Sequence, residues 1–212
     1  MNTISILGSG RVASPIAAKL AVGGHDIAIG SRDPVAAAAK WTGPAVRHMD
    51  ARAAAGGAQI VINATPGDSA LARLSELRQE LEGKILVDVS NASARDTNGM
   101  PAGLLYTEGS LGERLQEALP GTRVVKTLNT MLFSVMADPR SLATAPSVFM
   151  SGNDEGAKAT VAALLGELGW PQDWIVDLGD IASARATEAL MLMVPHVLRR
   201  FGFKPFALSL AR

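Results

Sequence analysis

Short apolar runs alternate along the chain with longer segments of helical period, and turn residues separate them. TISIL, Thr3 to Leu7, is a β-rich run that ends in glycines. Behind it, Val12, Ile16, Ala17 and Leu20 recur at helical spacing, and Gly23 and Gly24 stop the helix. HDIAIG, ending at Gly30, predicts a second strand. Asp33 and Pro34 then suit the N-cap and first position of a helix. The alternation continues. QIVINAT predicts a buried strand, DSALARLSELRQEL one amphipathic helix, and KILVDVS another buried strand. SLGERLQEAL predicts a helix, TRVVKTL and SVFMSG strands, DEGAKATVAALLGELG a helix and WIVDLG a strand. ASARATEALMLMVPHVLRRFG predicts a final helix interrupted at Pro195. The one long irregular stretch is Asn91 to Gly109, and loops of that length are usually functional or mobile.

Continuous apolar strands suit a parallel sheet covered on both faces. Strand and helix alternate throughout, which predicts an α/β class with a doubly wound, mostly parallel sheet. The expected organisation is a single domain over residues 1–212. Residues 1–130 form the core, and 131–212 a short C-terminal α/β extension. Ligands of such sheets lie beyond the carboxyl ends of the strands. Those ends are Gly8 to Val12, Gly30 to Arg32, Asn63 to Gly67, Ser90 to Asn91 and Thr127 to Thr130.

GSGRVA, Gly8 to Ala13, is G-x-G-x-x-A placed between a strand and a helix. Gly8 permits the tight turn, Gly10 lets the backbone approach a pyrophosphate, and Ala13 is small enough for helix–strand packing. The helix N-terminus offers free N–H groups to the anion. This is the mark of a Rossmann-type dinucleotide site. NAD-binding chains place an acidic residue about 20 positions further on, to hold the ribose 2′-hydroxyl. Here the second strand ends in Gly30, Ser31 and Arg32. A hydroxyl and a guanidinium suit a 2′-phosphate, which arginine binds by charge-assisted bonds. Asp33 is better used as the helix cap. The motif therefore predicts NADP(H). Val35 to Ala39 are apolar, so no second basic residue follows closely behind Arg32.

Composition narrows the remaining chemistry. Twenty basic and twenty acidic residues cancel, which argues against a nucleic-acid footprint or a polybasic membrane patch. The chain has no cysteine, so disulfides, thiolate nucleophiles and zinc–thiolate sites are excluded. No apolar run is long enough to span a bilayer, and no leader precedes the first strand. A cytoplasmic protein is expected. No His–carboxylate pair, nucleophile elbow or metal-ligand cluster stands out, so neither a catalytic side chain nor a metal ligand is assigned.

ILGSGRVA, IAIGSRDP, VINATP, ILVDVSNA, VVKTLNTM and VDLGDIASARATEAL, in this order, resemble the coenzyme F420-dependent NADP reductase family. The cytosolic oxidoreductase domain of the six-transmembrane metalloreductases is similar. The resemblance runs over essentially the whole chain. It implies hydride exchange between NADP(H) and a deazaflavin (F420) or an ordinary flavin (FMN or FAD), with the two rings stacked in one cleft. It places Gly8, Ser9, Gly10, Arg11 and Val12 in the pyrophosphate loop, and Ser31 and Arg32 at the 2′-phosphate. It places Thr65 and Pro66 under the adenosine-to-nicotinamide stretch, and Asn91 and Asn129 near the two rings. Cofactors carry such chemistry, and the protein supplies proximity and orientation.

Other residues carry alternative readings. Asn129 suits a local turn as well as a ligand. Lys126 ends a strand, where its ammonium either snorkels to solvent or serves the site. His196, on an apolar helix, suits a packed position. Met131, Met136, Met191 and Met193 suit core filling, a subunit interface or a flavin pocket. The apolar C-terminal run predicts a homodimer contact. The competing functions are a non-catalytic NADP(H)-binding regulator and a small dehydrogenase that reduces an organic substrate directly.

Overall fold

A computed structural model describes residues 1–211. Eight strands form one sheet: β1 (Thr3–Leu7), β2 (Asp26–Gly30), β3 (Arg47–Met49), β4 (Ile60–Asn63), β5 (Ile85–Asp88), β8 (Arg123–Thr127), β9 (Val148–Gly152) and β10 (Ile175–Asp177). A separate hairpin holds β6 (Ser93–Arg95) and β7 (Pro101–Leu104). The helices are α1 (Ala13–Val22), α2 (Pro34–Lys40), α3 (Ala51–Gly56), α4 (Ala70–Ser75), α5 (Arg78–Leu81), α6 (Leu111–Ala118), α7 (Phe133–Met136), α8 (Glu155–Leu168), α9 (Ala184–Ala189) and α10 (Val194–Phe201). Short 3₁₀ turns complete the set.

The sheet order is β10-β9-β8-β5-β4-β1-β2-β3. The six strands from β3 to β8 run parallel in the 3-2-1-4-5-6 order of dinucleotide-binding folds. β9 is antiparallel to β8, and β10 is parallel to β9. The order in which strands are added reverses between β1 and β4, so a crevice opens beyond their carboxyl ends. Both faces of the sheet are covered. Ile4, Ile6, Ile62, Val87 and Val125 face one core with α1 and α8. Val61, Leu86 and Val124 face the other with α3, α4 and α6. Each fully buried aliphatic side chain stabilises the fold by roughly 1.5–3 kcal/mol. Caps set the helix starts. Asp33, Asp50, Ser110 and Asp154 each accept a backbone N–H three residues on.

The structure departs from the sequence pattern at several places. β3 and α3 lie in a region the apolar pattern leaves blank, because a three-residue edge strand shows no periodicity. The single helix expected from Asp68 to Leu81 is two, α4 and α5, with Glu76 and Leu77 between them. The expected loop from Asn91 to Gly109 contains the β6–β7 hairpin. The final helix breaks earlier than Pro195, through a 3₁₀ turn at Leu190–Met193, and Pro195 then sits in the first turn of α10. That position costs proline nothing, since its missing N–H has no helical partner there.

Candidate functional site

One cleft of about 830 Å³ opens at the carboxyl ends of the parallel strands, within the range of cofactor pockets. The structure brings all eleven sequence-predicted residues to it: Gly8, Ser9, Gly10, Arg11, Val12, Ser31, Arg32, Thr65, Pro66, Asn91 and Asn129. Five separate loops supply them.

The glycine loop is held by its backbone. Gly8 has φ of +114°, and a Cβ there would lie 2.8 Å from the Ala64 carbonyl oxygen. Its N–H donates to the Gly30 carbonyl, which ties the β1 and β2 loops together. A Cβ on Gly10 would meet no atom within 4 Å. Gly10 is thus a glycine that the fold itself does not require. Open space over its backbone, just before α1, fits a pyrophosphate. Ser31 Oγ is buried with no hydrogen-bond partner among the described residues, beside an exposed Arg32. An orphaned hydroxyl next to a free guanidinium fits a phosphate acceptor. The residues present therefore fit a dinucleotide with a 2′-phosphate.

Beneath the cleft, three polar residues lie in one row across adjacent strands. Asn63 pairs in register with Asp88, and Asp88 with Lys126. Lys126 Nζ contacts Asp88 Oδ2 at 2.7 Å, Glu188 Oε1 at 2.9 Å and the Ser90 carbonyl at 2.5 Å. Its side chain is wholly buried, so it does not snorkel. Burial alone would pull its ammonium down, but the charges of Asp88 and Glu188 outweigh that and hold it above the usual lysine range. Asp88 Oδ1 accepts from Asn63 Nδ2, Ser90 N and Ser90 Oγ. Asn63 Oδ1 in turn accepts from Thr65 N and Oγ1. Glu188 accepts the first N–H groups of α6, Leu111 and Gly112. Asn63, Asp88, Lys126 and Glu188 thus set the β4 and β5 loops, and through them Thr65, Ser90 and Asn91, without lining the cleft themselves. Sequence reading missed Asp88 and Glu188. The available signal was one polar residue in each of three neighbouring apolar runs.

Asn91 and Asn129 hold each other. Asn91 Nδ2 donates to the Asn129 carbonyl at 2.8 Å, and Asn129 Nδ2 donates to Asn91 Oδ1 at 3.0 Å. Leu128, just before Asn129, has φ of +60°, a strained value for a side chain of its size. That kink turns the chain out of β8 toward the cleft wall.

The far end of the cleft is apolar. Met131, Leu132, Phe133 and Met136 line it together with Met191, Val194, Leu198, Phe203 and Phe206. Three of the four methionines thus line the cleft, while Met193 points to solvent. His196 is also exposed, not packed as its apolar neighbours suggested. Backbone bonds from Leu132 N to the Phe206 carbonyl and from Ser147 N to the Leu208 carbonyl stitch the C-terminal segment against this wall. Arg11 closes it, with its guanidinium 5.3 Å from the Phe133 ring centre and 5.9 Å from that of Phe203. Among the described residues, no three His, Asp or Glu side chains are grouped to hold a metal. No helix among the described residues is long and apolar enough to cross a membrane.

Fold and site together define a dinucleotide-binding protein of the α/β class. Comparison with known proteins narrows this. The family described as "NADP oxidoreductase coenzyme F420-dependent" matches residues 3–92. A crystal structure from Arthrobacter sp. FB24, of a protein named as a candidate F420-dependent NADP reductase, is 40% identical with a TM-score of 0.92, and all of each chain is covered. Rat metalloreductase STEAP3 is 30% identical over 190 residues, 89% of this chain and 36% of that protein. The F420-dependent NADP reductase of Methanocaldococcus jannaschii is 28% identical over 132 residues, 62% of this chain and 58% of that one. The chain thus spans about a third of the metalloreductase and somewhat over half of the archaeal reductase. The protein belongs to the coenzyme F420-dependent NADP oxidoreductase family.

Proposed function

We propose that this protein is an NADP(H)-dependent oxidoreductase that passes hydride between NADPH and a deazaflavin (F420) or flavin (FMN or FAD) bound in the same cleft. One observation carries this reading. A single cleft joins an end built from Gly8, Gly10, Ser31 and Arg32, suited to phosphates, to an apolar end lined by Met131, Phe133, Met191 and Phe206. The bound cofactors supply the redox chemistry, the nicotinamide as hydride donor and the second ring as acceptor. The chain's own residues bind, orient and exclude water. The glycine loop and the α1 N-terminus hold the pyrophosphate, and Ser31 and Arg32 hold the 2′-phosphate. Asn91 and Asn129, locked together, fix the wall where the two rings meet. Met131, Met136, Met191 and Phe206 supply a dry surface for the acceptor. Glu76, near Arg73, is the one acid among the described residues that line the cleft, which favours an acceptor that needs no protein acid.

In this reading residues 1–130 bind the dinucleotide and residues 131–212 wall the acceptor. The exposed Leu192, Met193 and Phe201 beside that wall are the contact for a second copy. The test is NADPH oxidation at 340 nm with F420, FMN and FAD offered in turn and NADH as the control. Turnover with one of these acceptors, and loss of NADPH preference in Arg32→Ala, is the expected result. NADPH binding without turnover on any acceptor would refute the enzymatic reading and favour a regulator.

A further inference from the structure

At its adenosine end the cleft carries a second arginine from a different element. Arg73 stands in the last turn of α4 and lines the cleft with Ser31, Arg32, Thr65 and Pro66. Contacts through α3 fix its place. A Cβ on Gly30 would press on Ala51 and Ala54, so the start of α3 lies against the end of β2, next to Ser31. From the same helix, Arg52 Nη2 donates to the Glu76 carbonyl at 2.9 Å, less than one turn beyond Arg73. α3 therefore brings the β2 loop and the end of α4 to one side of the cleft.

Arg73 is half-buried, yet among the described residues it forms no ion pair and no side-chain hydrogen bond. A guanidinium has five donors and no acceptor, so leaving it unpartnered is costly. Beside Arg32, the buried Ser31 Oγ is also without a partner. A phosphate monoester carries about −1.5 to −2 charges at neutral pH, more than one arginine neutralises. Glu76 is the acidic residue lining this end, exposed, and with Arg32 and Arg73 the sum stays positive.

We propose that Arg73 is a second ligand of the 2′-phosphate. Arg32 and Arg73, from different elements, clamp the monoester between them, and Ser31 Oγ donates to it. Selectivity for NADPH over NADH is then a property of two arginines distant in sequence. The inference rests on the NADP(H) reading of the cleft.

Calorimetric titration of 2′,5′-ADP and 5′-AMP tests it, on the wild type, Arg32→Ala, Arg73→Ala and Arg73→Lys, with melting curves for each. Arg73→Ala is expected to melt with the wild type and to weaken 2′,5′-ADP about ten- to a hundredfold, the loss of a charge-assisted bond. Binding of 5′-AMP should be nearly unchanged. Arg73→Lys should fall between, because lysine keeps the charge and loses the fork. Equal weakening of both ligands would overturn the proposal, since Arg73 would then serve the adenine or the loop. Unchanged 2′,5′-ADP binding in Arg73→Ala, with Arg32→Ala impaired, would remove Arg73 and leave the NADP(H) reading standing. A wild type that binds the two ligands equally would refute that reading and this proposal with it.

Discussion

Replacing Gly10 by alanine should separate binding from folding in a single methyl group. The added Cβ would meet no atom within 4 Å, and Gly10 does not lie in the left-handed region. The substitution therefore costs the fold nothing. It removes backbone freedom from the unfolded chain, which stabilises by about 0.4–1 kcal/mol where the native angles are compatible. The same methyl occupies the space into which a pyrophosphate must descend to reach the N–H groups at the start of α1. Losing one or two charge-assisted hydrogen bonds, at about 1.5–3 kcal/mol each, weakens the cofactor by on the order of a hundredfold. Gly8→Ala provides the contrast. Its φ of +114° and the Ala64 carbonyl at 2.8 Å make alanine strained whether or not a ligand is bound. The assay is a melting curve paired with NADPH titration for each variant. Gly10→Ala should melt at or slightly above the wild type and bind poorly, whereas Gly8→Ala should melt lower. Wild-type NADPH affinity in Gly10→Ala would refute the placement of the pyrophosphate.

Two further predictions concern charge. Lys126→Met strands Asp88 and Glu188 in the interior, and breaking a buried pair in this way costs about 3–5 kcal/mol. At this chain length that is a melting drop of roughly 10 °C, and a drop of a degree or two would mean that the carboxyls relax to solvent. Arg185, hydrogen-bonded to Glu113, holds that carboxyl below its ordinary value, with help from Ser110. A depressed carboxyl gives stability that is present above the unfolded value, near 4.5, and is lost as pH falls through the lower folded value. Arg185 is exposed, so solvent screens the pair and the effect is small. Glu113→Gln should flatten the acid limb of a stability profile between about pH 5 and 3, and an unchanged limb would show the pair to be energetically silent.

The fold was legible because its signals are local. Each buried parallel strand is a continuous apolar run, and Asp33 caps a helix that starts at the next residue. Ser31 and Arg32 were legible because their distance from the glycine loop follows from the length of one βαβ unit. β3 was not, since Arg47, His48 and Met49 are paired only on one edge and only partly covered. Arg73 looked like any charge on an amphipathic helix, because its place in the cleft depends on how α3 packs between two loops. Lys126 looked ready to snorkel because its partners, Asp88 and Glu188, lie 38 and 62 positions away in the chain. His196 was misread for the opposite reason: an apolar neighbourhood in sequence does not say which face of a short helix meets the core.

The stitching of the C-terminal segment onto the chain after β8 has a consequence for descent. Its bonds, Leu132 to Phe206, Ser147 to Leu208 and the bridge of Met131 with Ala207, run between backbone atoms. Main-chain atoms are the same in every residue except proline, so mutation can exchange the side chains hanging from that segment while the stitches persist. The opposite half has no such latitude, because its geometry depends on a missing Cβ at Gly8 and on a buried triad of charges. A lineage built on this plan would keep its glycine-loop end and vary the apolar end, one side chain at a time.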